Sequence, residues 1–170
     1  MDIVVQQTET NHASLSFKGL ECRCSIGEGK ITENKFEGDL CTPAGKWPLR
    51  RVFYRKDRLL KPDTSLQTLR ISKNMGWSDD PRDDTRYNTL IKTPYLFSHE
   101  TLWRLDSLYD IIVELGYNDS PPILGRGSAI FMHLARPNFE PTAGCVALKK
   151  SDLLSLLSLV SHGDLLNIVK

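Results

Sequence analysis

Residues 129–134 (AIFMHL) are apolar at every position except the histidine. A β-strand shows successive side chains to opposite faces, so a run of this kind reads as a strand buried on both of them. It also sets a histidine, His133, near the end of a buried strand. Residues 109–115 (YDIIVEL) form the strongest strand signal in the chain, ended by the turn-rich GYNDSPP of 116–122.

The rest of the chain is read around these two runs. Residues 3–5, 14–17 and 21–24 are short, partly alternating segments broken by Lys18-Gly19-Leu20 and Gly27-Glu28-Gly29, as in successive hairpin strands. Residues 37–46 (EGDLCTPAGK) read as a loop with tight bends, and 47–54 (WPLRRVFY) as a strand. Residues 56–94 are polar and too long for a simple connection in a compact domain. An ordered excursion lining a site and a solvated flap both fit them. A short helix is expected over 98–104, with Ser98 as its N-cap. The clear helix is 151–160, where leucines at 153, 156 and 157 share a face with Val160, Ser151 is the expected N-cap and His162-Gly163 the stop. Residues 164–169 return as a strand.

A chain of 170 residues with no linker or repeat is expected to be a single domain over 1–170. Its net charge of +1 gives no clustered basic face, so a nucleic-acid partner is not expected. No run is long and apolar enough for a membrane segment, and the N-terminus MDIVVQQ lacks the pattern of a signal peptide. The expected location is therefore cytoplasmic, or periplasmic if the native start is longer. In a reducing compartment Cys22, Cys24 and Cys41 read as small core or near-surface residues rather than disulfide partners. Cys22-x-Cys24 lacks metal-site spacing, so neither a metal nor a cofactor is expected.

The chemistry concentrates in residues 125–148 (GRGSAIFMHLARPNFEPTAGCVAL). A cysteine with a distant histidine is the minimum for thiol acyl transfer: the imidazole takes the thiol proton and the sulfur attacks a carbonyl. Gly144, having no side chain, lets a substrate carbonyl approach the backbone, and the N–H groups of Gly144 and Cys145 can face an oxyanion. On spacing alone, Cys145 and His133 fit an inert protein better. His12 and His162 read as surface residues. His99 is either a polar residue at a helix start or a wall of the site.

Two blocks decide otherwise. His133, Thr142, Gly144 and Cys145 match a His…Ser/Thr-x-Gly-Cys pattern, and Lys35-Phe36-Glu37-Gly38-Asp39-Leu40-Cys41-Thr42-Pro43-Ala44-Gly45 matches K-x-x-G-D-x-x-T-P-x-G. Both resemble the L,D-transpeptidase (YkuD-type) family. Trp77-Ser78-Asp79-Asp80-Pro81, Ser98-His99-Glu100 and residues 125–131 resemble one short subgroup of it. The resemblance implies a mostly β, α+β fold: a sandwich of two packed mixed sheets with a few short helices. It implies a peptidoglycan stem peptide or muropeptide as partner, cleaved before the terminal D-Ala through a thioester. Carried over, Cys145 is the nucleophile, His133 the base, Gly144 an oxyanion-hole residue, and Thr142 with Ala143 the shaping loop. The family's usual Arg after the nucleophile is absent, since Val146 and Ala147 follow Cys145. Arg136 or Arg126 can replace it as a bidentate carboxylate grip. His99 and Asn118 complete the expected substrate wall.

The implied acyl-enzyme has two fates. Water gives L,D-carboxypeptidase trimming, as in murein recycling, and the lack of a visible export signal favours it. An amine gives 3→3 cross-links or D-amino-acid exchange. A stem-peptide binding module with an unreactive Cys145 is a third reading; a catalytic thiol is expected to alkylate fast near neutral pH.

Overall fold

The computed structural model describes residues 1–8 and 11–170. Its strands are β1 (Asp2–Gln7), β2 (His12–Phe17), β3 (Leu20–Ser25), β4 (Ile31–Thr32), β5 (Thr42–Pro43), β6 (Gly45–Tyr54) and β7 (Gln67–Arg70). They continue with β8 (Met75–Ser78), β9 (Leu90–Lys92), β10 (His99–Thr101), β11 (Ile111–Leu115), β12 (Phe131–Leu134), β13 (Val146–Leu148) and β14 (Leu165–Val169). One α-helix, α1 (Lys150–Leu159), lies between β13 and β14.

The hairpin β2–β3 shows how local chemistry sets the pattern. Phe17 and Leu20 pair across a two-residue turn in which Lys18 (φ +46°) and Gly19 (φ +85°) are both left-handed. That geometry matches the twist of paired strands. The nine-stranded sheet then runs β11-β12-β13-β3-β2-β1-β14-β6-β7, and β6 also pairs with β11. The sheet therefore closes on itself, with β7 attached at β6. The expected pair of separate packed sheets is replaced by this barrel-like ring. Closure rests on the ten-residue length of β6, whose residues 45–48 pair with β14 and 49–54 with β11.

Strand alternation divides the apolar side chains into two sets. Ile3, Val5, Leu15, Val113, Met132, Leu134, Val146 and Leu166 join Leu153, Leu156 and Leu157 of α1 in the main core. Phe53, Ile112 and Phe131 point the other way, against Trp77, Leu102 and Tyr109. That second face is covered by a three-stranded sheet, β10-β8-β9. β11 and β12 are buried at every residue because they have protein on both sides.

Two local expectations change, and one open alternative is decided. Residues 98–104 are not helical: β10 pairs with β8, placing His99 opposite Ser78 and Glu100 opposite Trp77. A seven-residue segment gains little from helical bonds alone, and strand pairing decides it. The N-cap of α1 is Lys149, with no side-chain capping bond; Ser151 lies inside the first turn and bonds Asp152 at 3.2 Å. Residues 56–94 are an ordered excursion, carrying β7, β8 and β9 and burying Ile71, Trp77, Tyr87 and Ile91.

Candidate active site

β12 and β13 are parallel neighbours, with His133 in register with Ala147. Two residues earlier along both chain segments, the Phe131 N–H donates to Cys145 Sγ at 3.4 Å. Side chains two residues apart share a face, so Cys145 and His133 lie diagonally on one face of adjacent strands. This is the face that carries Phe131, away from the main core. Both residues line a cleft of about 280 Å³.

His133 is 7% exposed. Its Nδ1 lies 2.9 Å from the Leu134 carbonyl oxygen, which can only accept, so Nδ1 carries the hydrogen and Nε2 is left as the basic nitrogen. The edge of the imidazole meets the Tyr109 ring at 5.3 Å between centroids. Burial, aided by the positive charges of Arg104 and Arg136, pushes its pKa down to about 4 against the opposing Leu134 bond. Cys145 is also buried; its thiol donates to the Ala129 carbonyl at 3.3 Å. Burial pushes this thiol up to about 12, against the Phe131 N–H, which favours thiolate. The resting pair is thus neutral thiol and neutral imidazole near pH 7.

The neutral imidazole has a consequence for folding. Between about 6.5 and 4 the unfolded chain binds a proton at residue 133 that the folded chain refuses. Stability is therefore present above pH 6.5 and is lost as pH falls toward 4, by about 3 kcal/mol from this group. Denaturant unfolding at pH 7 and pH 4 should show a smaller acid loss for His133→Gln than for the unchanged protein. Equal losses would remove His133 as the cause.

The loop bearing the nucleophile is fixed from three sides. Thr142 Oγ1 accepts the Gly144 N–H at 3.1 Å and donates to the Cys145 carbonyl at 2.6 Å. Thr142 N–H donates to Ile26 at 3.0 Å, and the Thr142 carbonyl accepts from Glu28 at 2.9 Å. Thr42 in turn accepts the Gly27 N–H at 2.8 Å. Asp39, ion-paired with Lys35, accepts the N–H groups of Phe36 at 2.9 Å and Cys41 at 2.8 Å. The two sequence blocks are therefore one structure: the Lys35–Gly45 segment is the seat on which the Thr142–Cys145 loop rests. Gly144's N–H is occupied by Thr142. The Cys145 N–H makes no hydrogen bond among the described residues.

The expected wall is partly redrawn. Thr142, Ala143 and Arg136 line the cleft. Arg136 is 46% exposed on its side chain, with Glu140 at 3.7 Å. Arg126 does not line it; its carbonyl accepts the Tyr117 hydroxyl at 2.5 Å in the neighbouring loop. Asn118 does not line it either: its amide closes that loop through Ile123 at 3.0 and 2.8 Å and Gly127 at 2.9 Å. His99 bonds the Phe97 carbonyl at 2.8 Å and faces away, because strand alternation turns Glu100 toward the cleft instead.

Lys35, Glu37, Asp79, Glu100, Arg104 and Tyr109 also line the cleft. Burial and the nearby Asp79 charge raise the Glu100 pKa. Lys35 and Glu37 stand in the quoted Lys35–Gly45 block, Asp79 and Glu100 in the subgroup blocks, so their presence was signalled though their place was not. Tyr109 and Arg104 carried no motif. Among the described residues, no group of acids, histidines and cysteines is arranged to hold a metal ion, and no helix is long and apolar enough to cross a membrane.

Compared with protein-family models, residues 6–168 match the L,D-transpeptidase catalytic domain (YkuD). No curated protein and no solved structure matches the chain.

Proposed function

The chain belongs to the family of L,D-transpeptidase catalytic domains, and on that premise we propose that it performs cysteine-dependent acyl transfer on peptidoglycan stem peptides. Cys145 attacks the carbonyl of the diamino residue that precedes the terminal D-Ala. His133 Nε2 takes the thiol proton as the C–S bond forms, and the Cys145 N–H faces the resulting oxyanion. Gly144's N–H already serves Thr142, so its part is to let the substrate backbone come close. Collapse breaks the C–N bond, His133 gives its proton to the departing D-Ala amine, and a thioester remains. Water then adds with His133 again as base; the C–S bond breaks and the thiol is restored.

What carries this reading is a buried thiol and a Nε2-basic imidazole on one face of paired strands, at the floor of a cleft holding both acids and bases. A tetrapeptide ending in a diamino acid and D-Ala presents an amine and a carboxylate, and the cleft has groups of both signs. Arg136, at the rim, takes the role of carboxylate grip left open by Val146-Ala147. The cleft of about 280 Å³ is at the small end for ligand sites. That favours one peptide end with water as acceptor over two bound stems. Incubation with free disaccharide tetrapeptide should yield D-Ala and disaccharide tripeptide by mass spectrometry. Cross-linked dimer or D-amino-acid exchange products alone would assign transpeptidation instead, and no product with a folded protein would leave a binding module.

A further inference from the structure

Asn88 lies in the 56–94 excursion, is 5% exposed and does not line the cleft. All four hydrogen-bonding positions of its amide are used. Oδ1 accepts from Trp77 Nε1 at 2.9 Å and from the Ala129 N–H at 3.0 Å. Nδ2 donates to the carbonyls of Tyr117 at 3.0 Å and Asn118 at 2.8 Å. A buried amide so fully bonded has one placement, and moving it leaves several polar groups unpaired.

The Ala129 end of this network matters most. Ala129 has φ +51°, a left-handed conformation that costs a residue with a Cβ about 1 kcal/mol or more. It needs an outside hold, and the bond from its N–H to Asn88 supplies one. In that conformation its carbonyl is the acceptor of the Cys145 thiol at 3.3 Å, while Phe131 donates to the same sulfur at 3.4 Å. Sulfur is thereby set by two backbone groups, one of which is held by Asn88. We propose that Asn88 is a positioning residue for the nucleophile: by holding the Ala129 N–H it keeps Ala129 in its left-handed conformation, which aims the Ala129 carbonyl at the thiol and so sets the rotamer of Cys145. The inference rests on the reading of Cys145 as nucleophile. It gives the excursion a function: it carries the clamp that sets the thiol, from outside the cleft.

The test compares Asn88→Ala, which removes every bond, with Asn88→Asp, which keeps both acceptor bonds and, as a buried acid holding its proton toward the Tyr117 and Asn118 carbonyls, at most one donor bond. Misplacing a reacting atom by about 1 Å can cost about 100-fold in rate. In Asn88→Ala, kcat for D-Ala release should fall about 10- to 100-fold with KM within about two-fold, because Asn88 does not reach the substrate. Asn88→Asp should keep kcat within about three-fold even though its Tm falls, because Ala129 is still held. Rates that follow Tm in both variants, or a loss carried by KM, overturn the proposal. Infrared spectroscopy provides a measurement that needs no turnover. The Cys145 S–H stretch, isolated by subtracting the Cys145→Ala spectrum, should lie at a hydrogen-bonded position in the unchanged protein and in Asn88→Asp. It should shift to a free position in Asn88→Ala. A free S–H in the unchanged protein overturns the proposal even if Asn88→Ala does not fold. If the unchanged protein releases no D-Ala, the acyl-transfer reading has failed, and the infrared comparison alone decides whether Asn88 sets the thiol.

Discussion

Cys145→Ala is expected to lower D-Ala release from tetrapeptide by about 10⁴-fold or more while leaving the fold intact. Without sulfur there is no thioester, and what remains is binding and oxyanion contact, which by themselves give only a small part of a nucleophilic enzyme's rate. The cost to folding is modest. The sulfur leaves a small void and an unpaired Phe131 N–H, together about 1–3 kcal/mol, or a few degrees in Tm for a chain of this size. Cys145→Ser should be nearly as inactive, for a reason specific to this site. His133 is held as a weak base, near 4, by burial. A weak base can draw a proton from a thiol as the C–S bond forms, but a buried hydroxyl is a far poorer donor. Measured release and Tm of both variants check this. A serine variant retaining a tenth of the rate would overturn the weak-base argument, and an alanine variant retaining it would show that Cys145 is not the attacking group.

The sequence and the structure agree most where local chemistry suffices. The apolar run at 129–134 announced a strand covered on both sides, and β12 is buried at every residue. Lys18-Gly19 announced a turn, and the β2–β3 hairpin closes there. The two blocks around Asp39 and Cys145 were visible separately; their contact was not, because it depends on the 26–29 segment passing between them. Ring closure was hidden for a similar reason. It requires β6 to pair with β14 over one half and β11 over the other, a long-range choice that alternation within β6 does not encode. For Ser98-His99-Glu100, motif and neighbourhood were legible, but strand phase decides which side chain enters the cleft, and phase was set by pairing with β8. Arg126 and Asn118 were expected at the substrate, whereas their loop closes on itself through Tyr117 and Ile123. Asn88 gave no signal, since a buried amide hub has no local pattern.

Gly144→Ala should be the most damaging substitution that removes no reacting group. Gly144 sits at φ +133°, where residues with a Cβ are strained. A Cβ there would lie 2.7 Å from the Cys41 carbonyl oxygen and 3.3 Å from Ile130 Cδ1. The first contact is with backbone, so no rotamer change relieves it. The Cys41 side cannot retreat easily: its N–H is held by Asp39, and the neighbouring Gly27 and Gly29 already meet it with no room to spare. The displacement therefore falls on the loop of Thr142 to Cys145, moving the thiol relative to His133. Strain and overpacking together suggest about 2–5 kcal/mol, or roughly 5–15 °C in Tm. A shift of about 1 Å at the nucleophile would lower kcat about 100-fold in the fraction that folds. Gly163 is the matched control: at φ +91° an alanine there is strained as well, but a Cβ would meet nothing within 4 Å. Gly163→Ala should lose some Tm and keep full activity per folded molecule. If Gly144→Ala loses no more rate than Gly163→Ala, close packing of the Lys35–Gly45 segment against the nucleophile loop is not what holds Cys145 in register.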